Sequence, residues 1–239
     1  NLLDGGDGND RLSSTDPKRN QTLVGGLGDD GLNANGTNLY LDGGLGNDYL
    51  NGTGENLYLV GGDGQDNIDA SGAYGGNATL DGGNGDDGGL TARYFQEALI
   101  QGNQGSDFLY SYRNRNSTLE GGSGSDRLKV YCLGVAERIW GDNWGGSQRL
   151  DGGDDDDSLT VNGYGWETAG KIDLSLDGGS GNDTLQVDNF NIYYDNGAYA
   201  TASLSGGDGD DILTASGVLQ LTLSGGSGRD RFVLTALQY

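Results

Sequence analysis

Leu39 to Leu50 reads LYLDGGLGNDYL, and this stretch decides the fold that the sequence predicts. It combines a short apolar segment, a six-residue glycine–aspartate turn from Gly43 to Asp48 and a second short apolar segment. The turn occurs eleven times, every 18 to 21 residues over the first part of the chain, and a glycine pair opens it in ten copies and Gly102-Asn103 in the other. A fixed period of this length is typical of stacked repeats.

Apolar residues occupy fixed places around each glycine pair. Leu or Ile lies two residues before the pair in all eleven repeats, and Leu, Ile or Phe lies seven residues after it in ten. The fifth repeat reaches its leucine, Leu90, one place late. One coil cannot bury such a face, whereas stacked coils bury it as a continuous ladder. We therefore predict an all-β protein, a β-solenoid of about 11 coils with one glycine–aspartate turn per coil.

The spacing predicts a single domain with three parts. Residues 1–129 form regular coils, residues 130–205 carry insertions because their glycine pairs lie 26 to 31 residues apart, and residues 206–239 are regular again. Within the insertions, Gly141 opens a candidate decayed turn in which Gln148 would stand near the aspartate's place. The chain begins inside a repeat and has no Met, so we expect it to be an excised or processed piece.

Composition narrows the classes of function. The net charge is −23, which disfavours nucleic acid as a partner and calls for countercharge, for which divalent cations are the obvious source. No apolar run is long enough to cross a membrane. The chain has no His, the commonest general base, and no clustered Arg or Lys to serve a lyase, so we expect no enzymatic activity.

The turn has the composition of a calcium site. Its pattern is G-G-x-G-x-D, in which glycines let the backbone turn its carbonyls inward and the aspartate adds an anionic oxygen. Ca²⁺ takes about 6–8 oxygen ligands, more than one turn provides but within reach of two turns stacked about 4.8 Å apart. We therefore expect about one Ca²⁺ for each pair of stacked turns, in a single row. Unneutralised stacked aspartates would repel one another.

The predicted metal ligands fall into two sets. The carboxylates are those of Asp10, Asp30, Asp48, Asp66, Asp87, Asp107, Asp126, Asp157, Asp183, Asp211 and Asp230. The backbone carbonyls are those of Gly5, Gly25, Gly43, Gly61, Gly82, Gly121, Gly178, Gly206 and Gly225. The turns at Gly102 and Gly152 lose a glycine each, at Asn103 and Asp155. The sequence alone does not determine whether these two turns hold calcium.

These turns resemble the glycine-rich nonapeptide repeats of the RTX family, G-G-x-G-x-D-x-U-x. The resemblance covers most of the chain, most firmly residues 4–130 and 176–234. It implies a parallel β-roll that is secreted and folds when it meets calcium outside the cell. The chain departs from that family in having one such turn per coil, which implies one row of ions rather than two.

The opposite corner of the early coils is predicted to be an asparagine ladder. Asparagine stands five places before the glycine pair at Asn20, Asn38, Asn56, Asn77 and Asn116, and it suits a tight corner. The alternative is glycosylation, because Asn20, Asn77 and Asn116 each begin an N-x-T/S acceptor pattern.

The function expected beyond calcium binding is a structural one. We expect a secreted or cell-surface repeat protein (a surface layer, adhesin, matrix or filament component) that assembles with its own copies end to end. The alternatives are an accessory domain of a secreted enzyme or toxin and an ice- or carbohydrate-binding solenoid. The insertions gather the aromatic residues Trp140, Trp144, Tyr164, Trp166, Phe190, Tyr193, Tyr194 and Tyr199. They either fold back as extra strands that pack against the side of the solenoid, or form a patch that binds a carbohydrate or surface partner.

Overall fold

The structure is a computed structural model that describes residues 1–16, 20–73, 75–132, 146–163, 171–188, 190 and 199–235. Within these residues the protein is all-β, with twenty strands and no helix. The strands are β1 Leu2–Asp7, β2 Arg11–Ser14, β3 Gln21–Leu27, β4 Gly31–Leu45, β5 Tyr49–Asp63, β6 Asn67–Ser71, β7 Asn77–Asn84, β8 Gly89–Arg93, β9 Glu97–Gln104, β10 Phe108–Tyr112, β11 Asn116–Ser123, β12 Arg127–Tyr131, β13 Gly146–Asp154, β14 Ser158–Asn162, β15 Lys171–Ser180, β16 Thr184–Asp188, β17 Tyr199–Asp208, β18 Ile212–Ser216, β19 Gln220–Ser227 and β20 Arg231–Thr235.

The strands form a parallel β-solenoid, which confirms the predicted fold class. Each coil contributes one strand segment to each of two faces, and every recorded strand pairing is parallel, between neighbouring coils. We call the face that leads into the glycine pair the first face and the face that follows the aspartate the second face. β4 and β5 are long because they continue through the asparagine corner and belong to both faces.

The core is the predicted apolar ladder. Leu41 pairs in register with Leu23 and Leu59 on the first face, and Leu50 pairs with Leu32 and Ile68 on the second. Strands alternate buried and outward residues, as the period of two requires. Leu90 pairs with Ile68 despite its late place, so the fifth coil absorbs its extra residue in the turn.

The insertions do not interrupt the stack. Leu128 pairs with Leu159 and Leu119 with Leu150, although these partners lie 31 residues apart in the chain. Gly141, Trp140, Trp144, Tyr164, Trp166, Tyr193 and Tyr194 lie outside the described residues, as does the side chain of Tyr199. The interpretations placed on these residues remain predictions.

One expectation within the inserted region was wrong, and Phe190 favours the packing alternative over the surface patch. Gln148 is a buried residue of β13 that pairs with Ser117 and Leu174, so it does not stand near an aspartate's place in a turn. Phe190 is also buried, packed over Gly163, and it forms no part of a surface patch. Both side chains fill the inside of a coil, where spacing along the chain alone could not place them.

The asparagine ladder is confirmed for three coils. The side-chain amide of Asn38 donates to the Asn20 Oδ1 atom at 2.9 Å, and that of Asn56 donates to the Asn38 Oδ1 atom at 3.0 Å. Further along the same column, Glu97 lies between Asn77 and Asn116. This carboxylate changes the chemistry of the corner in the middle coils.

Candidate metal centre

The eleven turn aspartates form one continuous ladder inside the glycine–aspartate edge. In each coil the aspartate's backbone N–H donates to the Oδ1 atom of the aspartate in the following coil, for example Asp48 to Asp66 at 2.7 Å and Asp66 to Asp87 at 2.8 Å. All ten such bonds span 2.7 to 3.2 Å, from Asp10 through Asp230. One oxygen of each carboxylate therefore holds the neighbouring turn in place.

The other carboxylate oxygen has no partner. The Oδ2 atoms of ten ladder aspartates are buried and accept no hydrogen bond. They belong to Asp10, Asp30, Asp48, Asp66, Asp87, Asp107, Asp126, Asp157, Asp183 and Asp211. A buried carboxylate oxygen without a partner loses its hydration and gains nothing in return, so this row needs protons or cations to be stable.

Backbone carbonyls lie beside these oxygens. A Cβ atom added to Gly61 would come well within 3.0 Å of both the Asp66 Oδ2 atom and the Gly82 carbonyl oxygen, so the two oxygens share one small space. The same arrangement repeats along the stack with the carbonyls of Gly25, Gly43, Gly61, Gly82, Gly102, Gly121, Gly152, Gly178, Gly206 and Gly225. The structure thus gathers the predicted oxygens in pairs drawn from consecutive coils, except that the Gly5 carbonyl and the Asp230 carboxylate are not among them.

The two degenerate turns keep the ladder geometry. Asn103 and Asp155 replace glycines and adopt φ values of 77° and 75°, in the left-handed region that Asn and Asp tolerate better than other side chains. Asp107 and Asp157 consequently keep both their ladder bonds and their unpartnered Oδ2 atoms. The loss of one glycine does not remove either turn from the row.

Burial raises the pKa of the ladder carboxyls from Asp48 to Asp211. Loss of hydration is the main cause, the neighbouring carboxylates add to it, and the backbone N–H bond opposes it. The pKa rises to about 6 for Asp66, Asp107 and Asp183, to about 7 for Asp87 and Asp126 and to about 8 for Asp157. The pKa of Asp48 and of Asp211 also lies above its ordinary value. Without a cation, the ladder would hold protons near neutral pH.

A second ladder, which sequence reasoning missed, lies on the outside of the same turns. At seven of the ten steps between coils, the residue before the ladder aspartate offers a side-chain oxygen to the backbone N–H of its counterpart in the following coil, as Asn47 does for Gln65 at 2.8 Å and Asp86 for Ser106 at 2.9 Å. Its hydrogen bonds run in the opposite direction to those of the inner ladder. The signal was present in the sequence, because this place holds Asn, Asp, Gln or Ser in ten of the eleven turns.

The donor set fits a hard cation. Each space between coils offers carboxylate and carbonyl oxygens, the ligands that Ca²⁺ accepts in flexible geometry, whereas Mg²⁺ requires a near-ideal octahedron. Among the residues that the structure describes, no three His, Cys, Asp or Glu side chains converge on one point. A cation here would therefore depend on backbone carbonyls and water for most of its ligands.

Comparisons with protein-family models, with curated proteins and with solved structures found no match to this chain. The described residues contain no helix able to cross a membrane.

Proposed function

We propose that this protein is a calcium-binding solenoid that folds on a single row of Ca²⁺ ions, in the manner of the RTX repeats it resembles. The observation that carries the proposal is the row of ten buried Oδ2 atoms without partners, each beside a first-glycine carbonyl. Cations between the coils would satisfy these oxygens and offset much of the −23 charge.

Folding and binding would be coupled. The sites exist only when turns from two coils are stacked, so the unfolded chain has no such site and the binding free energy becomes folding free energy. Ca²⁺ must also displace the protons that burial favours on Asp87, Asp126 and Asp157, so binding should release protons near neutral pH.

Calcium titration tests the proposal directly. We expect far-UV circular dichroism to show a chain that is largely unfolded in excess chelator at pH 8 and that folds cooperatively on adding Ca²⁺, with several ions bound per chain. Mg²⁺ at the same concentration serves as the control and should act far more weakly. An unchanged spectrum in chelator, or no calcium uptake by the folded protein, would refute the proposal.

We further propose a secreted or cell-surface structural role, in which solenoids stack end to end. Millimolar calcium outside cells suits a chain that needs several ions. Apolar side chains are exposed in the first and last described strands, where Leu2 is 67% exposed and Leu234 is 65% exposed. A second copy could add its first coil to these strand edges.

Light scattering over a range of protein concentrations tests the stacking. The expected result is a particle length that grows with concentration in calcium and shortens when Leu2 and Leu234 are changed to Ser. A strictly monomeric rod at all concentrations would contradict self-assembly while leaving the calcium proposal untouched.

A further inference from the structure

We propose that the second face carries a binding site for a short acidic oligosaccharide, separate from the metal edge and from the inserted loops. The site is a patch on β10 and β12, which we call the aromatic–cationic patch. It consists of Phe108, Tyr110, Tyr112, Arg127, Lys129 and Tyr131.

The patch arises from the register between the two strands. Phe108 pairs with Arg127, Tyr110 with Lys129 and Tyr112 with Tyr131, and the alternation of the strands turns all six side chains outward. All six are partly or fully exposed. Four aromatic rings and two cations thus lie on one flat face, a combination unusual in a chain of net charge −23.

The two cations are held against rings rather than by acids. The Arg127 guanidinium lies 5.2 Å from the centre of the Phe108 ring, and the Lys129 Nζ atom lies 5.0 Å from the centre of the Tyr131 ring. Neither side chain has an ion-pair partner among the residues that the structure describes. Elsewhere on this face the Arg93 guanidinium is already paired with Asp69 at 2.5 Å. Arg127 and Lys129 therefore remain able to bind an anion.

The rings form a row along the solenoid axis. The Tyr112 ring centre lies 5.8 Å from that of Tyr94 in the preceding coil and 6.1 Å from that of Tyr131 in the following coil. The row is bordered by small polar residues, since Thr91 pairs with Tyr110 on one side and Thr160 pairs with Lys129 on the other. A bordered row of amphipathic rings suits an extended ligand with apolar faces and polar edges.

Size and charge select the class of ligand. Two strands of five residues cover about 200 Å² from strand spacing and rise, far less than the roughly 800 Å² per partner of a stable protein interface. The net charge of −23 repels a long polyanion such as nucleic acid. A short oligosaccharide with carboxylate groups fits both the small area and the two cations. Its pyranose faces would lie on the tyrosine rings, and its carboxylates would accept charge-assisted hydrogen bonds from Arg127 and Lys129.

The test uses substitutions that the fold already contains. Arg127→Ser and Lys129→Thr introduce the residues that β14 carries in the same columns, Ser158 and Thr160. Tyr110→Thr likewise copies Thr91 of β8. The matched control is the double variant Arg11→Ser with Arg231→Ser, which removes two exposed cations from the Arg127 column at the two ends of the stack. Far-UV circular dichroism at constant free calcium checks that every variant folds.

The probe is fluorescently labelled trigalacturonate, with a neutral galactose trisaccharide and a short oligothymidylate for comparison, all at the same free calcium. We expect trigalacturonate to bind the unaltered protein, to bind at least about tenfold more weakly to the Arg127→Ser, Lys129→Thr variant and to Tyr110→Thr, and to bind the control variant unchanged. Absence of binding, an equal loss in the control variant, or binding indifferent to all three changes would overturn the proposal. Tighter, patch-dependent binding of the neutral sugar or of the oligothymidylate would overturn the assigned ligand class.

Discussion

Replacing Asp87 by Asn should change the stability in opposite directions with and without calcium. Asp87 is fully buried, its Oδ1 atom accepts the Asp66 N–H at 2.8 Å and its Oδ2 atom has no partner. Asparagine keeps an acceptor for that N–H and removes the charge. The substitution therefore tests the effect of the unpartnered Oδ2 atom separately from the effect of the ladder hydrogen bond.

The expected changes in the free energy of unfolding follow from the surroundings of the Asp87 carboxyl. Burial raises the pKa of Asp87 from 3.8 to about 7, so ionising it in the folded protein costs at most about 4 kcal/mol at pH 8. In chelator, Asp87→Asn should stabilise the fold by up to this amount. In calcium, the Asp87 Oδ2 atom lies beside the Gly102 carbonyl, and losing an ion held there at a hundredfold excess over Kd should cost about 3 kcal/mol.

Urea denaturation at pH 8, in calcium and in chelator, measures both effects. Where the wild-type chain is unfolded in chelator, a stabilising osmolyte present in every sample brings the transition into range. The matched control is Asp86→Asn, which removes the same charge from the neighbouring exposed residue and keeps an acceptor for the Ser106 N–H. The control should have a small effect in both conditions. The same sign of effect for Asp87→Asn in both, or equal effects of the two variants, would refute a cation-dependent ladder.

Three further predictions concern the same edge and its opposite corner. Gly61→Ala should destabilise the protein by about 1–3 kcal/mol in urea denaturation, because its Cβ would press on the Asp66 carboxylate and the Gly82 carbonyl. The control is Gly88→Ala, whose Cβ meets nothing closer than 3.8 Å. Equal losses of stability in the two variants would contradict the crowding at Gly61. Without calcium, stability should be greatest near pH 4 and fall as the pH rises through 6 to 8, since carboxyls whose pKa is raised in the fold favour it only while protonated. Thermal melts in calcium-free buffer measure this, and a melting temperature that does not fall across this range would contradict burial of the ladder carboxyls. Asn38→Ala should cost about 1 kcal/mol by removing two ladder bonds, whereas Asn33→Ala, an exposed residue on the second face, should cost little in the same melts.

Much of the fold could be predicted because its rules are local. Alternation around Leu41 and Leu50 specified which side chains face inward, and the glycine pair specified where each coil turns. The ladder aspartates could be named for the same reason, since each stands at a fixed distance from its own glycines. Gln148 was misplaced, and the sequence left two alternatives for Phe190, because longer connections hide the register of the coils they belong to.

The sequence by itself determined the coil, its period and the oxygen-rich turn, because these depend on residues only a few places apart. Only the tertiary structure decided which atoms of neighbouring coils come into contact. Stacking divides the carboxylates of Asp66 and Asp87 into an Oδ1 atom, which accepts the backbone N–H of the preceding turn, and an Oδ2 atom left without a partner. Stacking also brings Tyr110 beside Lys129, 19 residues away in the chain, to form a surface that no single repeat contains. The reason is physical: pairing between coils joins residues one repeat apart at about 4.8 Å, and insertions of any length can change which residues those are.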